Sequence, residues 1–575
     1  MPPPIFENKH EQDGFTMKLW RGERLCMLGF DVQDPEPDFV GFAIECKAPG
    51  AANFQRLRNR IHFDYVNRPA LVDGYRNYPS TEAPFQKFRW MHFPYDPQPG
   101  TYTYRATRMH MPQDGPLVAG TSITLDIPMD PITYQGFCDV GFTRNFSSSQ
   151  AFNDRFKTAL NGAPVIPGTA DEGLDFNAPA IPELYPWLGF ESHSLLMGLL
   201  DEAVADAALT LDVFAYDLNL RPMVEKLEQM AGRVRIIIDD SVGDGGSGHG
   251  HANSAETAAA ARLEDAGAQV RRTHFAGLQH HKTILVRRDG TPERVLIGST
   301  NFSWRGLYIQ ANNLIIFSNA EIADLYAQVF ERVFTNPASF HTDPLAKKWH
   351  VVQTPGLPPV HICFSPHSDP KLSLNPVGGA IDLARSSVFY SVAFLYQTRG
   401  GEVKTALDRV MGRPIFSYGI SDKGGSLEMM KSDGSRGLVS FAYLKDHAPA
   451  PFSLEWSGGP GINQHHKFVV TDFNLPTAKV FTGSSNLSPS GEKGNGDHLI
   501  MIEDRQIATA YALEALRSFD HLEFRIRMSE EEAAGNPTTE ITLRKPKAIS
   551  GKDPWWKPYY KPNTQRSRDR EIFSS

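Results

Sequence analysis

The sequence predicts an α/β protein built on a duplicated unit and preceded by a β-sandwich. Three observations carry that reading: Gln279-His280-His281-Lys282 recurs as Gln464-His465-His466-Lys467, helical and strand patterns alternate before each copy, and the chain ahead of them carries only short strand-like runs.

From about residue 16 to 130, apolar and β-branched runs at 25–32, 39–46, 60–65, 88–93, 101–109 and 122–127 are separated by turn clusters, and helical periodicity is poor. The turn Pro97-Gln98-Pro99-Gly100 precedes a strand with Tyr102 and Tyr104 on one face, a pattern similar to the tyrosine corner of immunoglobulin-like sandwiches. A Pro-rich passage at 163–186 follows. Beyond it the spacing predicts a helix at 191–205, a strand at 209–216, a helix at 220–230, a strand at 234–238, a Gly-rich loop at 243–250, a helix at 255–266 and a strand at 269–272. The plan returns as a helix at 379–384, a strand at 388–395, a helix at 403–410 and a strand at 414–418. The expected division is a sandwich domain at 1–133, a linking segment at 134–190, two repeats at 191–345 and 346–530, and a C-terminal strap at 531–575.

Composition narrows the function classes. A chain of 575 residues that is 41% hydrophobic and 22% charged has ordinary globular usage and room for two or three cores. Its formal net charge of -8 weighs against a protein that coats nucleic acid, although a local basic groove is compatible with it. Cys26, Cys46, Cys138 and Cys363 lack C-x-x-C spacing, which argues against a disulfide framework or a zinc site. The N-terminus has no apolar signal core, and no uncharged run is long enough to span a bilayer, so a cytoplasmic protein is expected; a lipid substrate would require peripheral contact with the membrane surface.

The repeat carries the chemistry. Each His-Lys pair is followed at one interval by a turn, Gly298-Ser299-Thr300-Asn301 or Gly483-Ser484-Ser485-Asn486, and at a second shared interval by Asn312 or Asp497 ahead of an apolar strand. One H-x-K would mean little, but two copies with aligned turns and strands form a specific signal. His280 and Lys282, like His465 and Lys467, share a face if extended, which leaves His281 and His466 for packing.

These residues resemble the phospholipase D superfamily, whose H-x-K-x4-D motif and G-S-x-N turn occur twice per active unit. The resemblance covers roughly 191–527. His465, Lys467 and Asp472 match the whole second motif, whereas Arg287 occupies the position of Asp472 in the first, a departure shared with the tyrosyl-DNA phosphodiesterases. The resemblance implies duplicated α/β/α halves related by a pseudo-twofold, with both sites facing one pocket, and leaves the immunoglobulin-like sandwich ahead of them unexplained. It implies that His280, Lys282, Asn301, His465, Lys467 and Asn486 act on a phosphodiester, supported by Ser299, Asn312, Asp472, Ser484 and Asp497.

On this reading one neutral imidazole attacks phosphorus to form a phosphohistidine. The other donates a proton to the leaving oxygen and then activates water, while lysine and asparagine donors stabilise the nonbridging oxygens. No cofactor and no metal is assigned. In the family the downstream polar residue bonds the histidine of its own half, which pairs Asn312 with His280 and Asp497 with His465. Because a carboxylate favours the charged imidazole, His280 is expected as nucleophile and His465 as general acid. Both imidazoles lie in one chain, so no oligomer is required.

His249 and His251 in the Gly-rich loop lack G-K-[ST] and a clear third ligand and are expected in a flexible surface loop. The aromatic and basic tail, Trp555-Trp556-Lys557-Pro558-Tyr559-Tyr560, is expected to strap across the fold. Three functions follow: a phosphodiesterase acting on a phospholipid, a nuclease or DNA-end phosphodiesterase, and a non-catalytic scaffold that keeps the fold.

Overall fold

The computed structural model describes residues 5–64, 77–131, 134–145, 150–243, 248–398, 400–422, 429–440, 463–533 and 542–575. Two four-stranded antiparallel sheets form the N-terminal layer pair. One runs in the order Glu7–Gln12, Phe15–Arg21, Cys26–Val32, Arg89–His92, and the other Val118–Pro128, Thr101–His110, Phe39–Lys47, Gln55–Arg56. Their facing sides bury Phe15, Phe30, Phe42 and Tyr104, with the Phe30 and Phe42 rings stacked at 4.4 Å. Alternating apolar residues thus close one core between two sheets. The Tyr102 hydroxyl accepts a hydrogen bond from the Gln98 amide at 2.9 Å, which ties the Pro-rich turn to the strand after it. The strand expected at 60–65 does not form among the described residues; Arg58–Asn59 pairs briefly with Tyr78–Pro79 instead.

The tail completes this core. Trp555 is buried against Phe39 and Phe88, and the C-terminal helix Gln565–Ser574 lies on the strand Cys26–Val32. Gly29 is required there, because a β-carbon at that position would lie 2.0 Å from the Phe573 carbonyl oxygen. The Trp20 indole donates to the same oxygen at 2.8 Å.

Two larger mixed sheets hold the rest of the chain. The first runs Cys138–Phe142, Asn313–Phe317, Thr291–Gly298, Thr283–Arg288, Leu209–Ala215, Val234–Ile238, Gln269–Arg272. The second runs His350–Val352, Val360–Ser365, Asp497–Ile502, Lys479–Gly483, Lys467–Thr471, Ser387–Val392, Phe416–Ser421, Leu438–Ser440. From Thr283–Arg288 to Leu209–Ala215 the pairing is antiparallel, and the next two junctions are parallel. The second sheet repeats those senses at Lys467–Thr471, Ser387–Val392, Phe416–Ser421 and Leu438–Ser440. The first sheet takes its edge strand, Cys138–Phe142, from the segment expected to be a linker.

Helices Leu184–Ala205, Arg221–Met230 and Ala255–Asp265 cover the outer face of the first sheet, and Lys371–Leu383 and Glu402–Met411 that of the second. Between the sheets lie the helices Ala320–Thr335 and Arg505–Ala533. Ile322, Tyr326 and Phe330 from one, and Tyr511 and Leu516 from the other, join residues of both sheets in one hydrophobic cluster. The helix spacing at Ile322, Tyr326, Val329, Phe330 and Val333 places these side chains on one buried stripe. With both sheets locked onto a common core, the loops entering Thr283–Arg288 and Lys467–Thr471 meet at one edge.

Candidate active site

Two short backbone bridges bring the repeats together. Gln279 bridges Gly496 and Gln464 bridges Ala311, with His280 N donating to Gly496 O at 2.9 Å and His465 N to Ala311 O at 3.1 Å. Each His-Lys loop is therefore zipped to the segment just ahead of Asn312 or Asp497 in the opposite repeat. His280, Asn301, His465 and Asn486 line a single cavity of about 500 Å³, together with Tyr216, Asp217, Gln310 and Phe394.

Backbone zipping also decides which residue orients which ring. The His280 Nδ1 lies 2.7 Å from Asp497 Oδ1, and the His465 Nδ1 lies 3.0 Å from Asn312 Oδ1. The pairing expected within each half is thus wrong: it crosses between halves, because the loop bridges set each ring opposite the other repeat's strand. The carboxylate lies on His280, and the argument that made His465 the acid by its neighbour no longer holds. At His280 the Nδ1 bond leaves Nε2 for the pocket, whereas the Nε2 of His465 meets Lys467 Nζ at 2.9 Å. Ser299 Oγ donates to Asn312 Oδ1 at 2.8 Å and accepts from Asn313 N, while Ser484 Oγ accepts from His498 N at 3.0 Å. Both serines tie their turns to the strand starts that carry the histidines' partners.

The lysines lie fully buried beneath the rings. Lys282 Nζ donates to His280 O at 2.6 Å, and Lys467 Nζ approaches His465 Nε2 at 2.9 Å and His465 O at 3.1 Å. Burial lowers the Lys282 pKa to about 8 against the pull of Asp497 and Asp217. Burial and the neighbouring Lys282 hold Lys467 well below its ordinary range. Burial also favours the neutral form of both histidines; Asp497 opposes this at His280, whereas the two lysines reinforce it at His465. Asp497 stays ionised despite burial because His280 and Lys282 face it.

Residues 200–334 match the family described as "Cardiolipin synthase, PLD-like domain". The mitochondrial cardiolipin hydrolase of Mus musculus is 30% identical over 165 residues, 28% of this chain and 67% of that protein. The chain belongs to the phospholipase D superfamily. The mitochondrial cardiolipin hydrolase of Canis lupus familiaris is 32% identical over 165 residues, 28% of this chain and 57% of its own length. A phospholipase D of Rickettsia conorii is 25% identical over 152 residues, 26% of this chain and 65% of its own. The chain spans a little over half the length of the dog and human hydrolases, 57% and 53%.

Against the superfamily motif, Asp472 sits away from the pocket. Its carboxylate accepts the amides of Arg385 at 2.8 Å, Ser386 at 2.7 Å and Ser387 at 3.3 Å, and thereby closes the turn into the strand Ser387–Val392. Its counterpart Arg287 instead donates to Asp212 at 2.7 Å, beside Arg235. The adjacent histidines do pack in the interior: His281 lies 3.3 Å from His498, and His466 lies 3.2 Å from Glu514.

The sequence reading missed the site's largest polar addition. His249 is not in a free surface loop, although 244–247 lie outside the described residues; its Nε2 lies 3.0 Å from Asp217 and its Nδ1 3.0 Å from Asp239. Burial opposes charge on this ring, but the two carboxylates outweigh it and lift the pKa to about 10. Asp217 in turn takes the Asn301 Nδ2 at 2.6 Å, and Asp239 takes the Gln279 amide at 2.7 Å. Tyr216 stacks edge-on between His249 at 4.4 Å and His280 at 4.9 Å. The one signal available in sequence was the pair of acidic residues closing neighbouring parallel strands. Asp217, His249 and Glu256 also place one ligand atom each within 4.8 Å of one another, a set of one nitrogen and two oxygens with the donor chemistry of a divalent-cation site. These side chains also pair within the protein: His249 Nε2 lies 3.0 Å from Asp217 Oδ1, and Glu256 Oε1 accepts from Leu218 N at 3.0 Å.

Proposed function

We propose that this chain is a phosphodiesterase that hydrolyses, or transfers, a phosphodiester through a phosphohistidine intermediate without using a metal, with a phospholipid as substrate. The single supporting observation is that His280 and His465 line one pocket with Asn301 and Asn486 over two buried lysines. An in-line displacement needs a nucleophile and an acid on opposite sides of phosphorus, and two facing imidazoles supply both. The common strand order of the two large sheets supports a duplicated α/β/α unit, and the paired N-terminal sheets with the Gln98–Tyr102 bond support an immunoglobulin-like sandwich.

His280 is the nucleophile in this reading, on grounds different from the overturned pairing. Attack by Nε2 on phosphorus turns a neutral ring into a cationic phosphoimidazolium that keeps its Nδ1 proton. The carboxylate of Asp497, 2.7 Å from that nitrogen, balances the new charge. His465 is the acid: as phosphate oxygens take the N–H groups of Lys467, the negative charge of the bound phosphodiester favours a proton taken from solvent onto His465 Nε2, and that proton passes to the leaving oxygen as its bond to phosphorus breaks. In the second step His465 takes a proton from water, the hydroxide oxygen bonds to phosphorus, and the P–N bond to His280 breaks. Lys282, Lys467, Asn301 and Asn486 donate to the nonbridging oxygens throughout.

A nuclease or DNA-end activity is the alternative, which the departure at Arg287 favours. The test is a chromogenic phosphodiester, phosphatidylcholine vesicles and single- and double-stranded DNA, each assayed with EDTA, followed by acid-quench mass spectrometry. Turnover in EDTA with the adduct on His280, absent from His280→Ala, is expected. An adduct confined to His465 would reverse the roles, inhibition by EDTA would overturn the metal-free mechanism, and a folded but inert protein would leave the scaffold.

A further inference from the structure

A second cavity of about 740 Å³ adjoins the catalytic one and shares Asp217 and Gln310 with it. Its wall is the segment 162–170 and the helix Gln150–Leu160, a stretch outside the residues matched to the family. Leu160, Pro164, Val165, Ile166 and Pro167 offer it aliphatic carbon. Two prolines limit the wall's backbone freedom, and the Tyr185 hydroxyl pins it by donating to Val165 O at 2.9 Å. We propose that this cavity is a second subsite, which takes an aliphatic chain of the substrate whose phosphodiester sits between His280 and His465. The proposal rests on the phosphodiesterase reading above.

The aromatic residues of the cavity separate an aliphatic chain from a nucleobase. Trp304 and Phe152 are each 2% exposed. The Trp304 ring packs against Phe176 at 5.1 Å and Tyr185 at 5.2 Å, and Phe152 against Phe156 at 5.5 Å. With those faces covered, the described residues give the cavity no open stacking platform of the kind that single-stranded nucleic acid uses. Its volume falls within the range that encloses most of a ligand of lipid-tail size.

The test uses the full-length protein and a series of alkyl p-nitrophenyl phosphodiesters from methyl to dodecyl. Transfer of methylenes from water into an apolar cavity predicts that kcat/KM rises at least ~30-fold across the series. Ala163→Phe, which fills the cavity from an exposed position, and Val165→Asp should cut that rise to roughly threefold or less with the methyl ester unaffected. A flat series in the wild type, or an undiminished rise in both variants, overturns the subsite. So does competition by oligothymidylate that Ala163→Phe abolishes. If the methyl ester is not turned over, or is turned over equally by His280→Ala, the phosphodiesterase reading fails by itself. Calorimetry with dodecylphosphocholine then decides the subsite: binding lost in Ala163→Phe supports it, and equal binding overturns it.

Discussion

The two repeats differ most where their parallel strands end. Ala215 O accepts the Asp239 amide and Ala393 O the Asp422 amide, so Tyr216-Asp217 in the first repeat stands where Phe394-Leu395 stands in the second. Tyr216 and Phe394 both lie against the histidine of their own repeat, at 4.9 and 6.0 Å. Asp217, by contrast, brings Asn301 and His249 into a charged network for which Leu395 has no equivalent. Under the proposed mechanism, what the repeats share, His, Lys, Asn and a bracing Ser, supplies charge stabilisation at phosphorus from both sides. Where they differ, Asp497 against Asn312 and Asp217 against Leu395, that mechanism gives the two sides different steps.

The largest effect should come from erasing the difference at the histidines' partners. Asp497→Asn removes the balancing charge and can present an amide N–H to His280 Nδ1, which would move the proton to Nε2 and disable the nucleophile. A loss of ~10³- to 10⁴-fold in kcat is expected, with no trapped adduct. Asn312→Ala takes a neutral acceptor from His465, along with the bonds to Ser299 and Gly306, and should cost ~10- to 100-fold. Equal losses in the two variants would show that the partners do not divide the roles.

Next come the lysines. Lys282→Met should lower kcat/KM by ~10²- to 10³-fold. The Lys282 ammonium is charged below its lowered pKa and neutral above it, so wild-type kcat/KM should decline as pH rises through about 8. Lys282→Met should lack that alkaline limb. A limb that persists belongs to another group.

His249 has no counterpart among the described residues of the second repeat and offers a sharper test. With His249→Gln, Asp217 keeps its negative charge beside an incoming phosphate, and KM should rise ~10-fold while kcat changes little. Adding Asp217→Asn should restore KM. A double variant no better than the single one would mean that His249 serves the loop's structure rather than the pocket's charge.

Much of the candidate site was legible because duplication marks it: His280, Lys282 and Asn301 were singled out by their echoes at His465, Lys467 and Asn486, and the structure brings these residues together. The crossing of Asn312 and Asp497 was not, because hydrogen-bond partners between the two repeats are set by the Gln279–Gly496 and Gln464–Ala311 bridges, which no local pattern encodes. His249 was hidden for a similar reason, since its two carboxylates end separate strands. In the fold, the alternating strands and helices of 209–272 were read nearly to the residue, because apolar period and caps agree there. The edge strand Cys138–Phe142 was read as linker, because its place depends on pairing with Asn313–Phe317 far along the chain. The amphipathic stripe of Ala320–Thr335 was present in the sequence and went unread.

The smallest effect should come from the motif's last position, where the repeats carry opposite charges. Asp472→Ala strips an acceptor from the amides of Arg385, Ser386 and Ser387, a buried deficit worth about 2–4 kcal/mol of stability. Arg287→Ala leaves Asp212 still paired with Arg235 and should cost about 1 kcal/mol or less. Thermal unfolding should therefore separate the two variants clearly, while kcat on a small phosphodiester stays within about twofold of wild type in both. A large fall in kcat for Asp472→Ala at a temperature where it remains folded would bring that carboxylate back into the catalytic argument, despite its distance from the pocket.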